Sequence, residues 1–339
     1  MAVPVLLELS LLAVVATAGV WKGSDILERA AEHLSVHYGL PPAVKGAVVV
    51  AIGSSFPELA SVVISTLQYG SFDLGVGAIV GSAIFNVLVI PSLSGIFTSG
   101  HVDSDRTVVY KEAQFYMLAV SVVVITFALA VIYAPVDGGL RGRMDRTLAF
   151  IPVALYGLYV FIQYQDTLEY RTTEEGIDGS VLVQWGWLAA SLVIIVLAVE
   201  LLVHAAVGFG DLFGTPPFLW GLTVIAASTS LPDTLVSVRA ARAGEGVTSM
   251  ANVFGSNTFD LLVALPVGVL LAGTAVIDFA IAVPMLGVLT LATVLLFTLL
   301  RTDLSLTDAE AYVLLGAYVA FVVWLGLETL GVTTLVPGV

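Results

Sequence analysis

The sequence contains no cysteine, which excludes disulfide bonds, thiolate metal centres and cysteine nucleophiles. Charge is scarce as well. Only 11% of the 339 residues are charged, 58% are hydrophobic and the mean hydropathy is +1.03, values that exclude a soluble globular domain. Basic residues are rarer than acids: twelve Lys and Arg stand against 26 Asp and Glu, for a net charge of -14. That balance argues against a nucleic-acid partner, whose phosphates require a basic surface. Acids gather in polar stretches such as YRTTEEGID and HVDSDR, where solvation is their ordinary role. With only three lysines, the composition resembles that of salt-loving (halophilic) prokaryotic proteins. The opening MAVPVLLELSLLAVV lacks a basic leader and a small-residue cleavage site, so the first segment reads as a retained helix.

What the chain does have is apolar length. Ten windows, near 4–33, 41–68, 73–96, 107–133, 145–164, 180–211, 215–241, 247–272, 275–300 and 307–333, are each about long enough to cross a hydrocarbon core of roughly 30 Å. The predicted fold is an all-α integral membrane protein of ten transmembrane helices in the lipid bilayer of the cell membrane. Arg29, Lys45, Arg106, Lys111, Arg171, Arg239, Arg242 and Arg301 then fall on one side, and Arg141, Arg143 and Arg146 on the other. The positive-inside bias places both termini outside the cell.

The chain also repeats itself. GAVVVAIGSSFPELASVVIS from Gly46 aligns without a gap with GLTVIAASTSLPDTLVSVRA from Gly221, so that Pro57 meets Pro232 and Glu58 meets Asp233. GSAIFNVLV from Gly81 lies over GSNTFDLLV from Gly255, and Asn86 meets Asp260. Five spans per copy make the second copy enter the membrane from the opposite side, giving two inverted repeats. The expected units are residues 1–164, a short central loop at 165–179, and residues 180–339. That loop is too short to hold a soluble regulatory domain.

Carboxylates at mid-bilayer cost about 2.5–3.5 kcal/mol each on insertion scales, and Glu58, Asp233 and Asp260 have no Lys or Arg at their depth. A bound cation would supply the missing charge. Pro57 and Pro232 cannot donate to the helix ladder, which frees carbonyls near Gly53, Ser54, Ser228 and Thr229. Ser54, Ser55, Ser82, Thr229, Ser230 and Ser256 add hydroxyls, and Asn86 and Asn257 add amide oxygens. An all-oxygen donor set suits hard cations such as Ca2+. The ordinary alternatives are a hydroxyl bonding back to its own helix and a proline that merely kinks; three acids in duplicated motifs outweigh them. Glu8 and Glu200 are weaker candidates. Lys22, Asp25 and Arg29 are spaced to pair along one helix face, and Trp21, Trp185, Trp187, Trp220 and Trp324 suit interfacial belts or packing.

SSFPE with GSAIFN, and STSLPD with GSNTFD, resemble the two alpha-repeats of the sodium/calcium exchanger family, within the cation/calcium antiporter superfamily and of its prokaryotic type. The spacings are nearly equal, 28 residues from Glu58 to Asn86 and 27 from Asp233 to Asp260. The resemblance implies a secondary antiporter, not an enzyme, that carries Na+ and Ca2+ as transported ions and needs no organic cofactor. It implies Ca2+ between Glu58 and Asp233 with the carbonyls of Ser54 and Thr229. It implies Na+ at Ser55, Ser82 and the Ala51 carbonyl on one side, and at Ser230, Ser256 and the Ala226 carbonyl on the other, with Asn86 and Asp260 completing the middle. Alternating access would follow from the long first and sixth segments sliding against the other eight. A monomer or weak homo-oligomer is expected.

Two readings compete with Na+/Ca2+ exchange inside the transporter class. Asp233, where Glu is frequent in the family, together with Asp260 also resembles the potassium-dependent branch. Proton/calcium exchange is the other, although its members usually carry a different, Glu-richer motif and the many hydroxyls here suit Na+. Outside the class, a channel leaves the inverted repeats unexplained, and an intramembrane aspartyl enzyme has no need of Asn86 or the duplicated hydroxyls.

Overall fold

The computed structural model describes residues 2–39, 51–98, 101–106, 108–137, 139–167, 180–334 and 336. Lys45, Gly46, Arg171 and most of the expected central loop lie outside the described residues. The chain opens with α1 (Ala2–His37), followed by α2 (Ala51–Ser54), α3 (Phe56–Leu67) and α4 (Phe72–Thr98). Strand β1 (His101–Asp103) and a π-helical turn at Val108–Glu112 lead into α5 (Ala113–Tyr133). Strands β2 (Pro135–Val136) and β3 (Arg141–Asp145) precede α6 (Arg146–Thr167) and α7 (Val181–Phe213). The second broken segment comprises α8 (Pro217–Trp220), a π-turn at Gly221–Ile225, α9 (Ala226–Thr229) and α10 (Leu231–Arg242). It is followed by α11 (Gly246–Phe259), a π-turn at Asp260–Ala264 and α12 (Leu265–Ala272). Strand β4 (Thr274–Asp278), α13 (Phe279–Asp303), β5 (Ser305–Thr307) and α14 (Asp308–Thr329) complete the order.

Among the described residues eight helices are long and apolar enough to cross a membrane, and the segment from Pro217 to Arg242, bent by 43° at Ser230, makes nine. The window expected at 41–68 contributes α2 and the shorter apolar α3, its beginning being outside the described residues. Burial sorts the spans into layers. The best apolar window of α4 is 94% buried, against 17% for α1. Helix α4 is thus the axis of the bundle, touching α3, α10, α13 and α14.

Backbone approach explains why α4 can sit so deep. A Cβ on Gly77 would lie 2.3 Å from the Phe218 carbonyl oxygen, one on Gly81 2.3 Å from that of Leu222, and one on Gly221 2.2 Å from that of Leu74. Gly77 and Gly81 form a small-xxx-small pair, the device by which membrane helices reach van der Waals contact without a hydrophobic driving force. The outer helices α1 and α7 run antiparallel: Gly208 faces Leu9, Gly19 faces Ala198 and Gly23 faces Ile195.

The all-helical expectation holds for the membrane-spanning part, but the connections carry five short strands among the described residues. Strand β1 pairs antiparallel with β5, and β3 with both β2 and β4. Several loop acids also have a more definite role than solvation. Asp105 accepts the Val108 N–H at 2.7 Å, Asp145 that of Leu148 at 2.9 Å and Asp278 that of Ala280 at 3.1 Å. Thr307 and Glu310 form a reciprocal capping box at the start of α14. Each satisfies an N–H that the first helical turn leaves without a partner.

Candidate functional site

Both prolines interrupt their helices as the sequence requires. With no N–H, Pro57 cannot bond to the carbonyl of Gly53, nor Pro232 to that of Ser228. The ladder breaks at Ser55 (φ -93°, ψ 8°) and Ser230 (φ -77°, ψ -4°), and a new helix starts at once, with proline at its beginning and an acid in its first turn. Glu58 and Asp233 therefore occupy the positive end of the α3 and α10 dipoles, the favourable place for a carboxylate. Asp260 opens a π-helical turn, a widened geometry frequent at functional sites.

The two halves meet through these residues. Ser82 of α4 donates to Glu58 Oε1 at 3.5 Å and lies 2.7 Å from the Ser230 hydroxyl. Asn86, one turn on, donates to Asp233 Oδ2 at 3.4 Å and to Asn257 Oδ1 at 3.0 Å. Asn257 in turn donates to the Ala83 carbonyl at 3.2 Å and reaches the Tyr116 hydroxyl at 3.3 Å. The Asp233 carboxylate also faces Ser256, Ser54 and Asn252, the Glu58 carboxylate faces Thr229, and Ser55 faces Asp260. The hydroxyls thus cross over: Thr229 of the second motif looks at the acid of the first, and Ser54 of the first at the acid of the second.

Glu58, Asp233 and Asp260 are each wholly buried. Among the described residues Glu58 Oε2, Asp233 Oδ1, both oxygens of Asp260, Asn86 Oδ1 and Ser55 Oγ have no hydrogen-bond partner within ordinary distance. Among the described residues none of the three acids has an ion-pair partner. Leaving buried charge unpaired costs several kcal/mol per ion on the order given by desolvation, so this cluster is poised to accept a positive charge. No group of three or more His, Cys, Asp and Glu side chains among the described residues is placed to hold a metal by itself. A cation here would draw on hydroxyl, amide and backbone oxygens beside one or two carboxylates.

Of the twelve residues singled out from the sequence, Ser54, Ser55, Glu58, Ser82, Asn86, Thr229, Ser230, Asp233, Ser256 and Asp260 share this buried cluster. Ala51 begins α2 and Ala226 begins α9. The Ala226 carbonyl already accepts the Ser230 N–H at 3.0 Å and the Thr229 hydroxyl at 3.4 Å. Ser256 bonds back to the Asn252 carbonyl at 2.9 Å, the ordinary behaviour of a membrane hydroxyl, whereas Ser82 reaches across the halves. Lys22 and Arg29 pair with Asp25 at 3.0 and 2.8 Å. Glu200 accepts from Gln68 at 2.8 Å, Glu8 is exposed, and Trp220 stacks on Phe209 and Phe213.

Two polar residues near the cluster escaped the sequence reading. Asn252 lies one helical turn before Ser256, so a same-face search from that serine would have found it. Glu28 of α1 keeps a buried, unpartnered Oε1 and is electrostatically close to Asp233. Its repeat counterpart is Val203, so a search for duplicated residues passes over it.

Known proteins share this architecture. The chain is 32% identical over 250 residues to the inner membrane protein YrbG of Escherichia coli, covering 71% of this chain and 73% of that one. It is 26% identical over 333 residues to the sodium/calcium exchanger MaX1 of Methanosarcina acetivorans, covering 89% and 94%. Among solved structures, the sodium-calcium exchanger NCX_Mj superposes with a TM-score of 0.61 at 22% identity, over 95% of this chain and 99% of that one. The H+/Ca2+ exchanger CAX superposes with a TM-score of 0.65 at 17% identity, over 93% and 82%. At such identities these two likenesses speak for the fold alone. The profile of the family described as sodium/calcium exchanger protein matches residues 9–165 and 183–327, nearly the whole chain and one segment per half, and the chain belongs to that family.

Proposed function

We propose that this protein is a secondary antiporter that exchanges Na+ for Ca2+ across the cell membrane by alternating access, with both ions bound among the oxygens around Glu58, Asp233 and Asp260. The observation that carries this reading is the meeting of acids from both halves with their outward lone pairs unused. Ca2+ would sit between Glu58 and Asp233 with the carbonyls of Ser54 and Thr229. Na+ would take Ser55, Ser82 and the Ala51 carbonyl, or Ser230, Ser256 and the Ala226 carbonyl, with Asn86 and Asp260 at the middle. Shared ligands make occupancy mutually exclusive, and differential affinity of the ions for the two states then couples their movement. The exposed antiparallel pair α1 and α7 would slide against the deep bundle.

The same reading takes the chain as ten spans in two inverted repeats of five, residues 1–164 and 180–339, and strand pairing supports it. Paired strands lie on one face of the membrane, so an even number of crossings must separate them. From β3 to β4 the chain passes α6, α7, the bent segment and the α11–α12 segment, which is even when the bent segment counts as one crossing. The Trp185 indole N–H donates to the Tyr38 hydroxyl at 3.2 Å, and between these two residues the count is even when α3 and the residues before it cross once. With cysteine absent from the background, single cysteines at Arg242 and Thr302 are expected to react with an impermeant maleimide from one face, and a cysteine at Leu140 from the other. Labelling of Arg242→Cys and Leu140→Cys from the same side would refute the topology.

The function itself is tested by 45Ca2+ uptake into proteoliposomes under separately imposed Na+, K+ and H+ gradients. An outward Na+ gradient is expected to drive uptake without K+. Uptake that follows a pH gradient and ignores Na+ would assign the coupling ion to H+, and a requirement for K+ would place the protein with potassium-dependent exchange.

A further inference from the structure

The cluster at Glu58, Asp233 and Asp260 does not use every unpartnered polar group in the neighbourhood. On α1, Ser24 is completely buried and, among the described residues, its hydroxyl has no partner, nor has the buried Oε1 of Glu28, one turn further. Positions four apart share a helix face, so both groups point at the same place. That place is the broken helix. A Cβ on Gly53 would sit 3.9 Å from Glu28 Cγ, and Gly53 is the residue whose carbonyl Pro57 cannot engage. The charged groups around Glu28 are Asp233, Asp25, Arg239 and Glu32. Asp233 belongs to the central cluster and Arg239 is exposed at the far end of α10, so Glu28 stands between the cluster and that face of the membrane.

The other half has no equivalent. The residues aligned with Ser24 and Glu28 are Val199 and Val203, both buried and apolar in α7. The acid that does have a counterpart on α1, Asp25, is already neutralised by Lys22 and Arg29. A carboxylate kept half-buried, without an ion-pair partner among the described residues, on one outer helix only and with a buried hydroxyl beside it, is costly and unexplained by packing.

We propose that Ser24 and Glu28, with the Gly53 carbonyl, form a relay site for the transported hard cation on the route between the Arg239 face and the central cluster, present on that side of the membrane alone. This rests on the exchange reading given above. The two routes into the protein then differ: from the Arg239 face a cation first meets a carboxylate on the sliding helix, and from the opposite face it meets the central oxygens directly. Because the relay is carried by α1, its distance from Asp233 changes as α1 slides, and the ion is handed on when the two approach.

The test is sided transport. Proteoliposomes with protein orientation scored through an Arg242→Cys label are assayed for 45Ca2+ uptake with Ca2+ presented to one face at a time. Glu28→Gln is expected to raise the apparent KM for Ca2+ from the Arg239 face by about 10-fold, the lower end of what a steering charge gives, and to leave that from the opposite face within about 2-fold. Ser24→Ala is expected to shift the same parameter in the same direction by less, and Glu8→Gln, an exposed acid of the same helix, to shift neither. Equal shifts from both faces, or none, overturn the relay. An absence of Ca2+ flux in the unsubstituted protein would remove the exchange reading instead. Electron paramagnetic resonance of Mn2+ titrated into detergent-purified protein then decides the relay by itself: loss of one weakly bound Mn2+ in Glu28→Gln supports it, and unchanged stoichiometry overturns it.

Discussion

Glu58→Gln is expected to lower Na+-dependent 45Ca2+ flux in proteoliposomes by more than about 100-fold, because changes one shell further from a metal already cost roughly 10–100-fold in affinity. The substitution keeps the size of the side chain and removes its charge. The Glu58 carboxylate is touched by the hydroxyls of Thr229 and Ser82, the latter at 3.5 Å, and a hydroxyl can serve an amide oxygen as well, so a neutral amide loses little protein contact. The folded protein should therefore survive, with an unchanged elution profile in detergent. Asp233→Asn is expected to behave in the same way. It removes an unpaired buried charge, and both neutral variants should melt higher than the unsubstituted protein measured without divalent ions, since an uncompensated buried charge is destabilising. Flux retained in Glu58→Gln would remove the basis for placing the ion at this cluster. A fall in flux together with a fall in melting temperature would show Glu58 to be structural.

The second large effect concerns folding. Gly81→Leu is expected to abolish the monodisperse protein, whereas Gly255→Ala should be tolerated and should raise the melting temperature slightly. The two glycines open the matching motifs GSAIFN and GSNTFD, so the repeat alone predicts equal behaviour. Their surroundings differ. A Cβ on Gly81 would meet the Leu222 carbonyl oxygen at 2.3 Å and the Leu222 Cα at 2.7 Å, both backbone atoms with no room to yield, while one on Gly255 would meet nothing within 4 Å. Overpacking of a rigid contact costs about 1–3 kcal/mol and occasionally more, and a leucine has several further atoms to place. A glycine in an open helical position costs about 0.5–1 kcal/mol relative to alanine. Size-exclusion profiles and thermal melts of the two purified variants check both outcomes, and a well-folded Gly81→Leu would contradict the backbone contact between α4 and the turn at Gly221–Ile225.

The membrane setting, the duplicated motifs and the acids at their centres were all readable from the chain. Hydropathy is a sum over neighbours in sequence, and the effect of a proline on its own ladder reaches four residues, so Pro57 and Pro232 announced the breaks at Ser55 and Ser230 directly. The donor chemistry followed from side-chain type: carboxylates, hydroxyls and amides without a cysteine or histidine among them. Other features had no local trace. The strands β1 to β5 are two to five residues long, too short for a period of alternation to mark them, and the β1–β5 and β3–β4 pairs join loops far apart in the chain. The loop acid Asp105 of HVDSDR looked like solvated charge, and its capping role, like those of Asp145 and Asp278, depends on where each helix begins.

The sequence by itself determined that Glu58 and Asp233 occupy equivalent places in two matching motifs, because equivalence is a matter of alignment. Only the tertiary structure decided that these carboxylates share one buried space, that Ser82 and Asn86 reach Ser230, Asp233 and Asn257, and that Gly81 is confined where Gly255 is free. Those facts belong to contacts between segments well over a hundred residues apart, set by which helix faces close against α4. Glu28 shows the same division most sharply: its lack of a repeat partner is visible in the chain, but its unpaired oxygen beside the broken helix exists only once α1 is packed in place.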